Sequence, residues 1–250
     1  MKDMAAELVA RLNVDTAFTI PIFGGIQIAE SVVISWVVMA VLVLLSLILT
    51  SGMKVWNPGK RQVLAETAVN WLDGFTKDML GPDATEYSEY ISTVLLFIGL
   101  SNIMGLFGMK PPTKDMNVTI ALAVMSIVLI EAAGIRRKGG KGWLKSFTQP
   151  IAIVTPINIL EIFIRPLSLC MRLFGNVLGS FVIMELIEMI LPVALPLVFS
   201  MYFDIFDGFI QAYVFVFLTS LFIAEAAESL MPSEPKKKKN RKQKNPSPAA

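Results

Sequence analysis

Apolar runs long enough to cross a bilayer recur along this chain, and no other feature of it constrains the fold as strongly. A helix needs about 20 mostly apolar residues to span a hydrocarbon core of roughly 30 Å. Ser31–Leu49, Ile91–Met109 and Asn117–Gly134 approach that length, and two longer stretches follow them. Hydrophobic residues make up 54% of the 250 positions, and the mean hydropathy is +0.64. Charged residues are 17% of the chain and are clumped rather than spread. The class is a multi-span membrane protein. With one cysteine, Cys170, an intrachain disulfide framework is excluded. The absence of histidine removes His-ligated haem, most zinc sites and any His-based proton relay.

The segments differ in character. Ser31–Leu49 is a plain apolar span that closes at Thr50-Ser-Gly-Met-Lys54. In Arg61–Leu80, Leu64, Ala68, Trp71, Leu72, Phe75 and Met79 recur at three- and four-residue steps, with Glu66, Asn70, Asp73 and Lys77 on the other side. That period describes an amphipathic helix lying in the membrane surface, or equally one covering another helix of the protein. Spans at Ile91–Met109 and Asn117–Gly134 follow, and then a basic loop, Ile135–Thr148. Ile151–Ile164 is broken by Pro156, and Arg165–Leu191 carries several polar and charged residues. Pro192 and Pro196 mark the turn of a helical hairpin whose second arm is Leu197–Ser229. Both arms exceed a perpendicular crossing, which implies strong tilt.

Three regions result: an extracytoplasmic segment 1–30, a membrane domain 31–230 and a basic tail 231–250 that reads as disordered. Fifteen Lys and Arg fall on one side of a five-crossing topology and four on the other. The positive-inside rule then places the amino terminus outside and the tail in the cytoplasm.

A cation within a bilayer costs about 2.5–3.5 kcal/mol on insertion scales. Arg172 stands among Leu169, Cys170, Met171, Leu173 and Phe174, where snorkelling is hindered. Two readings compete: a structural arginine paired with a carboxylate of the second arm, or a cation facing an ion pathway or charged partner. At about 100° per residue, Glu161, Arg165, Ser168, Arg172, Asn176 and Gly179 share a narrow stripe, with Gly175 beside it. Phe181, Glu185 and Glu188 project to the opposite side. On the second arm, Asp204, Asp207, Gln211, Thr219 and Glu225 cluster on one side, which suits the wall of a hydrated half-channel or hydrogen bonding within the hairpin.

Arg165-Pro-Leu-Ser-Leu-Cys-Met-Arg-Leu-Phe-Gly-Asn176 resembles the signature of bacterial F-type ATP synthase subunit a. Pro112–Thr119, Pro156–Glu161 and Phe209–Thr219 resemble further family segments, in order, and the likeness covers about Ser31 to Glu228. The resemblance implies an all-α stator subunit in a bacterial plasma membrane. Its partners would be a rotating ring of c subunits, the peripheral-stalk subunit b and membrane lipid. It would carry two aqueous half-channels and no cofactor, metal or catalytic chemistry of its own. Arg172 matches the family's essential arginine, and Asn176 and Gln211 match its polar neighbours. Two positions depart from the pattern. Phe181 stands where many members carry Glu, and Asp204 stands where His is frequent. Glu185, one turn beyond Phe181, is the candidate to replace the missing acid, and Asp204 and Asp207 are further candidates along the ion path. The coupling ion, proton or sodium, is left open, since the ring binds it. The rival reading is a stand-alone ion-coupled secondary transporter, but no internal repeat of the kind that class often shows is visible. The tail reads as a solvated cytoplasmic end, not a nucleic-acid site.

Overall fold

The computed structural model describes residues 16–21, 26–56, 58–148, 153, 155–190, 198–199 and 201–227, with Ile20, Ile26, Ile190 and Asp204 as backbone alone. The tail and the hairpin turn at Pro192 and Pro196 lie outside the described residues. Six α-helices are present among those described: α1 (Glu30–Thr50), α2 (Lys60–Leu80), α3 (Ser88–Ile103), α4 (Met116–Ser146), α5 (Thr155–Ile190) and α6 (Gly208–Ala227). A π-helical segment, Met201–Asp207, leads into α6. Five helical stretches are long and apolar enough to cross a membrane, in keeping with the all-α, multi-pass expectation. One element was not foreseen: β1 (Thr16–Ile20) pairs antiparallel with β2 (Ile26–Ala29) just before α1.

α1 is apolar around its whole circumference and buries only Ser31, Ile34 and Val38 within the protein. Leu44, Leu47 and Ile48 stay more than half exposed, as a helix facing lipid requires. The chain then turns into α2, which packs on α3 and α6 through its carboxyl-terminal half. Thr76 and Leu80 are buried there, and the Thr76 and Ser92 hydroxyls lie 3.2 Å apart. Leu64 and Trp71 of the same apolar stripe remain 67% exposed, although Ala65 in the amino-terminal half is buried.

The core joins Ile91, Val94 and Ile98 of α3, Ala123 and Ile130 of α4, Leu169 and Leu173 of α5, and Phe215, Val216 and Ile223 of α6. Small residues let the backbones approach, which is how helices associate where lipid removes the hydrophobic drive. A Cβ on Gly134 of α4 would sit 3.6 Å from the Ala226 carbonyl of α6. The motif Pro112–Thr119 acquires a structural reason here. Asp115 accepts from the Asn117 amide at 2.9 Å and so caps α4, and it also accepts from Ser31 Oγ at 2.5 Å, which ties α1 to the bundle.

Two expected boundaries are corrected. Ile135–Thr148 is helical over most of its length, because α4 continues past Gly134 and kinks at Gly139, whose φ of +70° favours glycine. Beyond the kink Trp143 folds back and donates to Glu131 at 2.8 Å. Pro156 does not break a helix either. It is the second residue of α5, where a missing N–H costs nothing, while Pro166 lies within the helix.

Candidate functional site

α5 and the second arm run antiparallel, and among the described residues polar contacts join them at three successive levels. Arg165 of α5 donates to Glu225 of α6 at 2.8 Å. Eleven residues farther along α5, Asn176 Nδ2 donates to Gln211 Oε1. One turn beyond that, Ser180 Oγ donates to Asp207 Oδ2 at 2.9 Å. These contacts fix the register between the arms, which the two separate helical stripes left undetermined.

Arg172 stands between the first and second of these levels. Its side chain is exposed from the protein, as is that of Asn176. Among the described residues Arg172 makes no hydrogen bond or ion pair. The carboxylates of the second arm that are described, Asp207 and Glu225, are held by Ser180 and Arg165 instead. Leu169, Cys170, Leu173 and Val177 on the other side of α5 are buried against the core, so the helix is anchored while its cation points away. A Cβ built on Gly175 or Gly179 meets nothing within 4 Å, and the exposed face around Arg172 therefore has open space beside it.

Two clefts flank this level at opposite ends of the arms. The first, about 280 Å³, is lined by Glu185, Glu188 and Phe181 of α5, Asp207 and Gln211 of the second arm, and Asn102 of α3. It thus brings together Glu185, Asp207 and Gln211, and Asn176 joins them through Gln211. The Gln211 Nε2 is buried without a partner among the described residues. The second cleft, about 230 Å³, is lined by Glu131, Lys138 and Trp143 of α4, Glu161 and Arg165 of α5, and Glu225 of α6. Along α5 the nearest lining residues of the two clefts, Val177 and Arg165, are about 18 Å apart at helical rise. Arg172 lies between them and lines neither. Of the residues singled out from sequence, Asp204 lies in the π-helical segment and its side chain is outside the described residues.

Sequence reasoning missed several participants. Asn102 donates to the Gly208 carbonyl at 3.0 Å and accepts from Thr113 Oγ1 at 2.8 Å, a buried node that ties α3 and the Pro112–Lys114 turn to the start of α6. Lys114 is buried, with its ammonium 3.6 Å from the centroid of the Phe181 ring. The position where the family often carries an acid thus presents an aromatic face to a cation. In the sequence Lys114 reads only as one of three loop charges, with Lys110 and Asp115.

Comparison with known proteins bears on the same stretch of chain. The family model described as ATP synthase A chain matches residues 32–224, which spans α2 to α5, nearly all of α1 and α6, and the whole first cleft, while Glu225 and Ala226 of the second lie just beyond it. The chain belongs to the ATP synthase A chain family. Relatives include ATP synthase subunit a of Moorella thermoacetica, 33% identical over 202 residues, covering 80% of this chain and 92% of that protein. Another is the ATP synthase subunit a, sodium ion specific, of Propionigenium modestum, 32% identical over 80% of this chain and 74% of that protein. A subunit a 2 from a Bradyrhizobium strain is 32% identical over 83% and 92% respectively. As a member of this family, the protein is a multi-pass membrane subunit of a multi-subunit ATP synthase and serves ion translocation in the stator of its Fo sector.

Proposed function

We propose that the two clefts are the two half-channels of an ion path and that Arg172, between them, acts on carboxylates carried past it by a ring of c subunits. The observation that carries this reading is the position of Arg172: exposed, with no partner among the described residues, and midway between clefts that open at opposite ends of the arms. A carboxyl passing a fixed cation is driven to ionise, because a nearby opposite charge lowers its pKa by roughly 1–3 units. It releases its ion there and reloads after leaving the arginine. A guanidinium keeps its charge throughout, whereas a desolvated lysine can lose its proton. The same charge repels cations and closes the direct route between the clefts.

With the amino terminus outside and the tail in the cytoplasm, the cleft at Glu185 opens outward and the cleft at Arg165 opens inward. Open space at Gly175 and Gly179 supports close approach by a ring helix. The broad apolar surface of α1 suits lipid or the peripheral-stalk subunit b. Thiol access tests the two-cleft path in the assembled complex. In a Cys170→Ser background, Ser180→Cys is expected to react with an impermeant thiol reagent from the outer side only, and Asn158→Cys from the inner side only. Reaction of both from one side would refute two half-channels.

Within the outer cleft, Glu185 is proposed to serve where Phe181 leaves the family's acid missing. Glu185→Gln is expected to lower ion-driven ATP synthesis by about tenfold, less than a sole proton-transferring group would contribute, because Glu188 and Asp207 remain in the same cleft. Unchanged synthesis would remove Glu185 from the path.

A further inference from the structure

Arg165 does more than occupy the same stripe as Arg172. Its guanidinium donates to Glu161 at 2.9 Å on its own helix and to Glu225 at 2.8 Å on α6, and it lies 5.0 Å from the Phe222 ring centroid. Its side chain is only 18% exposed, while those of the two acids are 47% and 55% exposed toward the inner cleft. It ties α5 to Glu225 and Phe222 of α6 on the inner side of Arg172, while the Asn176–Gln211 and Ser180–Asp207 hydrogen bonds lie on the outer side. Arg165 thus holds the arms together where their inner ends border the cleft.

We propose that Arg165 is a positioning residue for ion entry from the inner cleft: it clasps the two arms and fixes Glu161 and Glu225 at the cleft wall. The inference rests on the two-half-channel reading above. Arg165 with its two acids carries one net negative charge, and Lys138 opposite Glu131 adds none. The wall thus favours cations by a small excess of charge, so the geometry of the clasp governs where that excess is presented.

Charge and tie can be separated because two double variants keep the net charge of the cluster. Arg165→Gln with Glu225→Gln leaves Glu161 alone and removes the tie. Arg165→Glu with Glu225→Arg rebuilds the tie with the partners exchanged, since an arginine at 225 would face two carboxylates on α5. The assay uses the complete complex in liposomes, with proton and sodium concentrations each scanned. ATP-driven pumping draws ions from the inner cleft and gradient-driven synthesis draws them from the outer one. The double-Gln variant is expected to raise the half-saturating ion concentration for pumping about fivefold, the factor carried by one partly exposed charge-assisted contact. The value for synthesis should stay within about twofold, and the exchanged pair should restore pumping to within about twofold.

A double-Gln variant that leaves pumping unchanged, or shifts pumping and synthesis equally, would overturn the clasp. Should that complex not assemble, Glu225→Gln alone is read by the same criteria. An Arg172→Gln control that still pumps with normal coupling would instead overturn the underlying half-channel reading, so the two failures are distinguishable.

Discussion

Replacing Arg172 with Gln is expected to lower coupled ATP synthesis by about 10- to 1,000-fold, while ATP hydrolysis by the complex continues. The size follows from the shift that a neighbouring cation imposes on a carboxyl, roughly 1–3 units. Without it, the population of ionised carboxylates facing the arms falls by up to two or three orders of magnitude at a fixed pH. Nothing in the described structure compensates. Arg165 is held by Glu161 and Glu225 and lies about 10 Å away along the helix. Loss of the charge also opens the route between the clefts, so a passive ion leak should appear together with the loss of synthesis. Arg172→Lys should fall between the two, since an ammonium restores the charge only while it holds its proton. Synthesis and gradient decay in inverted vesicles measure both effects. Retention of more than a tenth of the synthesis rate by Arg172→Gln would be incompatible with the role argued for it.

The second large effect is structural, at Gly208. A Cβ there would lie 2.8 Å from the Asn102 Cβ, closer than real Cβ contacts allow, so Gly208→Val must displace one partner. Asn102 has little freedom to move. Its amide donates to the Gly208 carbonyl and its carbonyl accepts from Thr113, and the residue is buried. Overpacking costs about 1–3 kcal/mol, and a buried group left without its partner costs about 1–3 kcal/mol more. The variant should therefore lose roughly 2–6 kcal/mol, read as a lower thermal midpoint of the purified complex and less assembled subunit. Gly74→Ala, at an exposed site of α2 with open space around it, provides the control and should not lower the midpoint. Equal behaviour of the two variants would show that the close approach at Asn102 does not limit stability.

The spans were legible because lipid-facing helices differ sharply in composition from what joins them. The expected Ser31–Leu49 and the observed Glu30–Thr50 agree within one residue at each end. The end of α4 was misplaced because hydropathy stops at Gly134, whereas the helix is carried on by Lys and Arg, which are good helix formers, to the backbone break at Gly139. The stripe on α5 was read correctly as far as one helix allows: Glu161 and Arg165, four apart, do pair. Their third member, Glu225, lay on another helix, and no periodicity within either arm sets the register between arms. The second arm was harder still. Its segment Met201–Asp207 is π-helical, and a wider turn changes the angle per residue. A single 100° wheel drawn across Met201–Gln211 therefore does not hold along the whole second arm. The Lys114–Phe181 contact joins positions 67 apart in sequence, and residue type alone offers no reason to pair them.

The cross-arm contacts have one further implication. Seen as ties between two rails, they leave a gap of eleven residues on α5, with Arg172 inside it, four residues from the tie at Asn176 and seven from the tie at Arg165. The rails are pinned on both sides of the gap, so the backbone that carries the cation has little freedom to drift, while the guanidinium itself has no bond to break as a charge goes by. Stiff mounting with a loose head suits the proposed role, in which one cation meets a succession of identical carboxylates and holds none of them.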